Sequence, residues 1–194
     1  MNGVTVAQKP FDFSRLEEPI SIAEHNPSWL VWYEEEAAAL SLKLDSLSPR
    51  FEHVGSSAVS GLKSKPIVDI MMGLEDLELP ATAQKAIESL GYEYFGRLHA
   101  DQARLFARKR GARCFNLQVV PLGAREWKEK IAFRDYLRAH PAEVELYSRV
   151  KEEAVQAGRT QLLDYHRHKD QCVTAILVRA LSWSAKPGNL NIGA

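Results

Sequence analysis

The sequence has only two cysteines, Cys114 and Cys172, which lie far apart and outside any CxxC pattern. Two cysteines are too few to form the framework of a disulfide-rich fold. We therefore expect two unpaired, buried thiols, as is usual for a protein of the reducing cytosol.

A net charge is also lacking, because 25 lysines and arginines balance 25 aspartates and glutamates. This balance gives no general attraction to nucleic acids or membrane surfaces. No apolar run approaches the roughly 18–20 residues that span a bilayer. The first residues, MNGVTVAQKPFDF, lack the basic and then apolar segments of a signal peptide. These absences predict a soluble cytoplasmic protein without a membrane partner, argue against nucleic acid as a partner, and leave the oligomeric state open.

The length of 194 residues indicates one domain with at most a helical appendage. Residues 1–22 contain Pro10 and Pro19 and show no clear periodicity, so we predict an N-terminal arm there. We expect residues 23–182 to form a single domain and residues 183–194 to form a flexible tail.

Helix and strand signals alternate in the first two thirds of the chain and become purely helical after residue 124. Asn26 and Pro27 are typical of the first positions of a helix, and Gly91 is typical of a helix end. Two strands, RFEHVG and PIVDIMMGL, are predicted between these helices, and a hairpin, RLFARKRGARCFNLQVVPL, after them. This order predicts an α+β fold, with a small mixed β-sheet, helices on one face and a helical C-terminal third.

The segment EHVGSSAVSGLKSKPIVDIMMGL, residues 52–74, places a Gly-Ser-Ser turn directly after a short strand. The backbone N–H groups of such a turn, with the hydroxyls of Ser56 and Ser57, suit a phosphate group. The GxxxxGK[ST] spacing of a Walker loop is absent. An ordinary turn at Gly55 is the simpler interpretation of this motif taken alone.

Asp69 lies in the middle of the apolar strand PIVDIMMGL, although a carboxylate is rarely buried without a partner. The structural interpretation pairs Asp69 with a lysine, an arginine or backbone N–H groups. The functional interpretation makes it a metal-binding or proton-accepting carboxylate beside the Gly-Ser turn. A Gly-Ser turn followed by an aspartate on the next strand is the layout of the DNA polymerase beta-like nucleotidyltransferases, in which the turn holds triphosphate and strand carboxylates hold Mg²⁺.

The stretch EHVGSSAVSGLKSKPIVDI resembles the signature of the GrpB family, whose usual form is close to EHIGSTAVPGLAAKPIIDI. HNPSWLVWYEEEAAAL is similar to the opening helix of that family, and FRDYLRAHPAEVELYSRVKEEA and YHRHK are similar to its helical block. The resemblance extends over residues 23–182. It implies a nucleotidyltransferase-like fold but no particular reaction, because the family has no generally assigned one.

Two positions bear on metal binding. A polymerase-type site needs two carboxylates at alternate positions of one strand, and Met71 occupies the second of these positions here. The resemblance implies the same arrangement, because the GrpB family usually has a single aspartate on this strand. The family then tends to carry H-x-H where this sequence has Asn116 and Gln118, and neutral amides are poor ligands for transition metals. We therefore expect Asp69 to be at most a weak metal ligand. A Mg²⁺ ion bound with a nucleotide is left open, and otherwise no cofactor is indicated.

Further candidates surround the motif. His53 precedes the turn and could act as an acid or base if it faces a cleft, although its position suits a structural role equally well. Lys65 could reach a phosphate or simply be solvated, and Lys169 matches a family position. Arg104 and Arg108 alternate on the predicted hairpin and so share a face, although a solvated hairpin tip is the commoner arrangement.

Two classes of function follow. The first is a transferase or ligase-like enzyme acting on a small phosphate- or carboxylate-bearing substrate, or a nucleotide, in a pocket around Asp69. The second is a non-catalytic module that binds a nucleotide, a metabolite or a protein and has lost nucleotidyl transfer. We favour the enzyme, with Asp69 and His53 as candidate catalytic residues. The candidate substrate-binding residues are Gly55, Ser56, Ser57, Lys65, Arg104, Arg108, Asn116, Gln118 and Lys169.

Overall fold

The computed structural model describes residues 12–16, 20–98, 103–159 and 161–189. Most of the predicted N-terminal arm and the end of the predicted tail lie outside the described residues. The strands are β1 Arg50–Val54, β2 Ile67–Leu74, β3 Tyr92–Gly96, β4 Leu105–Lys109 and β5 Cys114–Pro121. The helices are α1 Ser28–Leu44, α2 Ala81–Ser89, α3 Arg125–Ala139, α4 Pro141–Gln156 and α5 Leu162–Ser184.

Local signals fix several of these boundaries. The Asn26 side chain accepts a hydrogen bond from the Ser28 N–H group at 2.9 Å, which caps the start of α1 as predicted. Pro141 occupies the first turn of α4, where its missing N–H group costs nothing and its ring prevents α3 from continuing. The predicted helical C-terminal third is therefore three separate helices.

The five strands form one mixed sheet in the order β1-β2-β5-β4-β3. β2 and β5 are parallel, and the other neighbours are antiparallel. The α+β class and the small mixed sheet are therefore confirmed. The structure adds β3, which the sequence analysis did not predict. The second helix ends at Ser89, and Gly91 follows it with a φ of 90° as the predicted stop. β3 begins at the next residue and pairs with β4, so its formation depends on the strand that follows it.

Helices cover both faces of the sheet, which corrects the expectation of helices on one face. On the first face, α1 and α2 pack against alternate residues of the central strands, such as Ile70 and Leu117. On the second face, Trp127 and Ile131 of α3 pack against Met71. The expectation was wrong because the three C-terminal helices are themselves the second layer, which periodicity alone does not reveal.

The C-terminal helices are joined to the turn after β1 by a cluster of apolar side chains. Val59 and Leu62, which follow the Gly-Ser-Ser turn, are buried among Ala132, Leu137 and Ile176 of α3 and α5. This cluster fixes the helical layer relative to the turn, because close-packed interiors tolerate little displacement.

The described part of the N-terminal region also contributes to the core. Leu16 and Ile20 are buried in a cluster with Phe106, Leu162 and Tyr165, so residues assigned to an arm cover one end of the molecule. Cys114 and Cys172 are unpaired, as expected, but half-buried rather than buried. Among the described helices, none combines the length and the apolar character needed to cross a membrane.

Gly73 of β2 provides a test of the packing between the sheet and α3. A Cβ atom at this position would lie 2.6 Å from the Trp127 ring and 2.7 Å from Leu122. We expect Gly73→Ala to lower the free energy of unfolding by about 1–3 kcal/mol, the usual cost of overpacking. Urea denaturation measures this change.

The double variant Gly73→Ala, Trp127→Phe is the matched control for Gly73→Ala, since the smaller ring lacks Cζ3, the nearest clashing atom, while the contact with Leu122 stays. We expect the alanine to cost clearly less in the Trp127→Phe background than in the wild type. Equal costs in both backgrounds would show that contact with the ring is not the cause.

Candidate functional site

A cavity of about 830 Å³ lies between the second face of the sheet and the helices α3, α4 and α5. Asp69, Asn116 and Gln118 of the two parallel central strands form its floor, since these residues alternate with the core residues of the first face. Tyr147, Lys151 and other residues of the helices contribute to the walls. The volume is in the range of pockets that bind small molecules.

The turn at Gly55 lies directly against the Asp69 carboxylate. Gly55 has a positive φ of 70°, a conformation that glycine adopts without steric cost. A Cβ atom there would be 2.5 Å from Asp69 Oδ2, so any larger residue would displace the carboxylate. Glycine at position 55 is therefore required both by the backbone and by the space that Asp69 occupies.

Two amides hold the Asp69 carboxylate in place. Its Oδ1 atom accepts hydrogen bonds from Asn116 Nδ2 at 2.9 Å and from Gln118 Nε2 at 3.4 Å. Asp69 and Asn116 are direct neighbours in the parallel pairing of β2 and β5, which explains the shorter bond. The aspartate thus has neutral partners among the described residues, not the lysine or arginine of the structural interpretation.

His53 and Ser57 lie behind this carboxylate and do not line the cavity. His53 faces the α1 side of the sheet, where its ring stacks on Tyr33 with centroids 4.8 Å apart. Its Nε2 atom is 3.0 Å from Ser57 Oγ, and Ser57 Oγ accepts a hydrogen bond from the Asp69 N–H group at 3.4 Å. This placement makes His53 and Ser57 positioning residues for Asp69, and it gives His53 no contact with a substrate in the cavity.

Burial dominates the acid–base behaviour of His53. The side chain is 5% exposed, and burial lowers its pKa to about 4, with the charges of Arg138 and Arg134 acting in the same direction. The imidazole is therefore neutral near pH 7.

The structure brings nine of the eleven candidate residues to the one cavity and leaves out only His53 and Ser57. Arg104 at the cavity is bonded to Glu126 at 2.6 Å, and Arg108 donates to the Leu16 carbonyl oxygen at 3.2 Å. The nine candidate residues that line the cavity are Gly55, Ser56, Lys65, Asp69, Arg104, Arg108, Asn116, Gln118 and Lys169.

Two cavity lysines were missed by the sequence analysis. Lys130 of α3 and Lys151 of α4 both line the cavity. Lys151 is 2% exposed and donates to Ser56 Oγ at 3.1 Å and to the Lys63 carbonyl oxygen. In the sequence these lysines look like ordinary members of charged helical faces, and only the packing of the helices onto the sheet turns them inward.

The cavity carries an excess of positive charge. Among the described residues, seven basic side chains and three carboxylates line it, a formal excess of four positive charges when all are ionised. Burial lowers the pKa of Lys169, against the attraction of Asp69, and burial likewise lowers that of Lys130, against Glu126. A bound anion would offset this cost, because it would stabilise the charged ammonium groups. The seven basic residues that line the cavity are Lys65, Arg104, Arg108, Arg125, Lys130, Lys151 and Lys169.

The donor set does not fit a two-metal centre. Within the described ranges, no group of three or more histidine, cysteine, aspartate or glutamate side chains is placed to hold a metal ion. Met71, at the position of a second strand carboxylate, is buried in the core with Trp127. Asp69 Oδ1 already accepts two amide N–H groups, so a cation would have only Oδ2 of this carboxylate as a free ligand atom.

Comparison with known proteins gives consistent matches. A family model described as GrpB protein matches residues 19–179. A UPF0157 protein of Pseudomonas aeruginosa is 32% identical over 88% of this chain and 72% of its own length. Another from Halalkalibacterium halodurans is 33% identical over 91% of this chain and 88% of its own length. The crystal structure of conserved protein GrpB from Enterococcus faecalis superposes with a TM-score of 0.76 at 31% identity, covering 84% of this chain and 98% of that one.

The pKa of His53 predicts a pH dependence of stability. Its folded pKa of about 4 lies below the ordinary histidine pKa of 6.5, so between these values the unfolded chain binds a proton that the folded chain excludes. The stabilisation is complete above pH 6.5 and is lost as the pH falls towards 4. Between pH 7 and pH 5 this histidine should remove about 2 kcal/mol of the free energy of unfolding.

Urea denaturation of wild type and His53→Gln at both pH values tests this expectation. Glutamine keeps a hydrogen-bonding group near Ser57 but does not titrate. We expect the variant to lose about 2 kcal/mol less than the wild type on acidification. An identical loss in both proteins would show that His53 titrates normally in the folded state.

Proposed function

The chain belongs to the GrpB family, and from this premise we propose that it is a transferase acting on a small molecule that bears a phosphate or carboxylate group, bound in the cavity around Asp69. The proposal rests on one observation: lysine and arginine side chains from the strands and from three helices line a single cavity of ligand size. Among the described residues, Lys151 and Lys169 have no carboxylate within ion-pair distance, and a cation removed from water is costly unless an anion neutralises it.

The cavity also offers a place for the rest of such a molecule. Phe106, Phe133 and Leu162 are among the apolar residues of its wall, and binding sites commonly combine apolar walls with a few polar groups that orient the ligand. A substrate with an anionic group and an apolar or aromatic part would therefore be complementary to both regions.

Asp69 supplies a carboxylate on the floor of the cavity. The amides at Oδ1 fix its orientation, and its Oδ2 atom lies beside Gly55 at the turn. An oriented carboxylate next to an anion site can accept a hydrogen bond or a proton from a hydroxyl or amino group of the substrate. Nucleotidyl transfer of the two-metal type is not part of the proposal, because Met71 and the two amides replace the ligands that it needs.

A non-catalytic binding module is the second candidate. It is favoured by the same two amide bonds, since they satisfy Asp69 Oδ1 without any substrate. Both candidates require anion binding, and they differ in whether a bound compound is converted.

Lys169→Met tests anion binding, with Arg167→Met as the matched control. Both substitutions remove one positive charge from α5, but Arg167 is 77% exposed and does not line the cavity. Thermal stability and calorimetry with inorganic phosphate, pyrophosphate and citrate give the affinities, since a ligand of the folded state stabilises it. We expect Lys169→Met to weaken binding about tenfold or more, the cost of losing a charge-assisted hydrogen bond, and Arg167→Met to change it little.

Equal effects of the two substitutions would place the anion outside the cavity. If none of the three anions, nor a screen of nucleotides and carboxylic acids, stabilises the wild type, the proposed function is wrong.

Asp69→Asn should act in the opposite direction on anion affinity. The substitution removes a negative charge from the cavity at nearly constant size, so we expect inorganic phosphate to bind a few-fold more tightly. Conversion of any ligand found in the screen should fall in the same variant if Asp69 accepts a proton. Weaker phosphate binding by Asp69→Asn would indicate that Asp69 orients the anion through a shared partner. An unchanged affinity would place the anion far from this carboxylate.

A further inference from the structure

Ser56 and Lys151 make a direct contact inside the cavity. Ser56 begins the turn of residues Ser56–Ala58 that follows Gly55, and its side chain lines the cavity. Lys151 Nζ lies 3.1 Å from Ser56 Oγ, although the two residues are far apart in sequence. The only other hydrogen bond of this amine among the described residues goes to the Lys63 carbonyl oxygen.

The surroundings of Lys151 favour an uncharged amine. No carboxylate lies within ion-pair distance of it in the described part of the chain, and the groups that face it are Ser56, Lys63, Tyr147, Lys169 and Cys172. Burial and the charge of Lys169 hold its pKa well below the usual value. The Tyr147 ring, 4.2 Å from Nζ, acts in the opposite direction by attracting the cation.

We propose that Ser56 and Lys151 form a nucleophile and base pair that transfers an acyl group from a carboxylic ester or thioester bearing an anionic group. The inference rests on the proposed function, because the anionic group of the acyl donor would be held by the cations of the cavity. It adds to that function the kind of group transferred and the residue that carries it.

The reaction needs only the acyl donor and water or another acceptor, with no oxidant or reductant. The neutral Lys151 amine takes the proton of the Ser56 hydroxyl while Oγ attacks the carbonyl carbon, so that a C–O bond forms and the carbonyl electrons move to oxygen. The positive excess of the cavity stabilises this oxyanion. Collapse breaks the bond to the alcohol or thiol, which leaves with the proton from Lys151. The acyl group then passes from Ser56 to water or an acceptor, with Lys151 again acting as the base.

Ser64 shows that this contact is not a general property of serines in the cavity. Ser64 also lines the cavity, but its hydroxyl donates to the Lys65 carbonyl oxygen at 2.7 Å. It has no amine within hydrogen-bonding distance among the described residues. Ser64→Ala is therefore the matched control for Ser56→Ala, since both remove one hydroxyl from the same cavity.

A fluorophosphonate probe tests the pair on the full chain. Attack by Ser56 Oγ forms an O–P bond, breaks the P–F bond and releases fluoride, while the proton passes to Lys151. We expect a single adduct on Ser56, located by peptide mass spectrometry, which is absent in Ser56→Ala and retained in Ser64→Ala. The labelling rate should fall at least 100-fold in Lys151→Met and Lys151→Arg, and in the wild type it should rise with pH through one ionisation that both variants lack.

Lys151→Arg keeps an N–H donor for the Lys63 carbonyl oxygen but offers no neutral amine, so it separates loss of the base from loss of structure. Thermal unfolding verifies that each variant is folded, and the arginine variant and the wild-type pH profile carry the test if Lys151→Met is not. Absence of an adduct on Ser56 in the wild type, or labelling of either Lys151 variant at the wild-type rate, would overturn the proposal.

Phosphate stabilisation measured on the same samples separates this inference from the proposed function. Stabilisation by phosphate without a Ser56 adduct would refute the proposed catalytic pair and leave the proposed anion binding intact. A Ser56 adduct without stabilisation by any anion would support the catalytic pair and refute the proposed function as an anion-binding transferase.

Discussion

The close approach of Gly55 to the Asp69 carboxylate is the contact on which the site depends. A Cβ atom at position 55 would be 2.5 Å from Oδ2, and the positive φ of the residue is tolerated because it is glycine. This approach places the turn against the floor of the cavity. It brings the carboxylate of β2 and the Ser56 hydroxyl into the same part of the cavity. Asn116 and Gln118 bond the carboxylate there, and Lys151 contacts the hydroxyl.

The sheet and the helices contribute different kinds of polar side chain to the cavity. The sheet supplies an aspartate and two amides at fixed spacing, because alternate residues of a strand share a face. The helices supply lysines whose long side chains reach inward, and burial lowers the pKa of Lys130, Lys151 and Lys169. Assembly of the helical layer on the sheet therefore both creates the cavity and sets the acid–base properties of its amines.

Prediction from the sequence succeeded where the signal was local. The Gly-Ser-Ser turn, Asp69 within its apolar strand and Asn26 at the start of α1 were all recognised. That the nine candidate residues lining one cavity bind a ligand stays a prediction. Prediction failed where pairing or packing with another element decides whether a segment forms a strand or which way a side chain faces. β3 needs β4 as a partner, Lys151 turns inward only because α4 packs over the turn, and the face that His53 occupies is set by the pairing of β1 with β2.

The neighbouring serines of the turn connect the helical layers that lie on opposite faces of the sheet. Ser57 Oγ binds the Asp69 N–H group and contacts His53, which stacks under α1. Ser56 Oγ faces the cavity and contacts Lys151 of α4. The turn is thus held from both faces of the sheet, so a displacement of either helix layer would move the Ser56 hydroxyl relative to Asp69. Two adjacent residues of one type therefore have different tasks, one fixing the carboxylate and the other presenting a hydroxyl to the cavity.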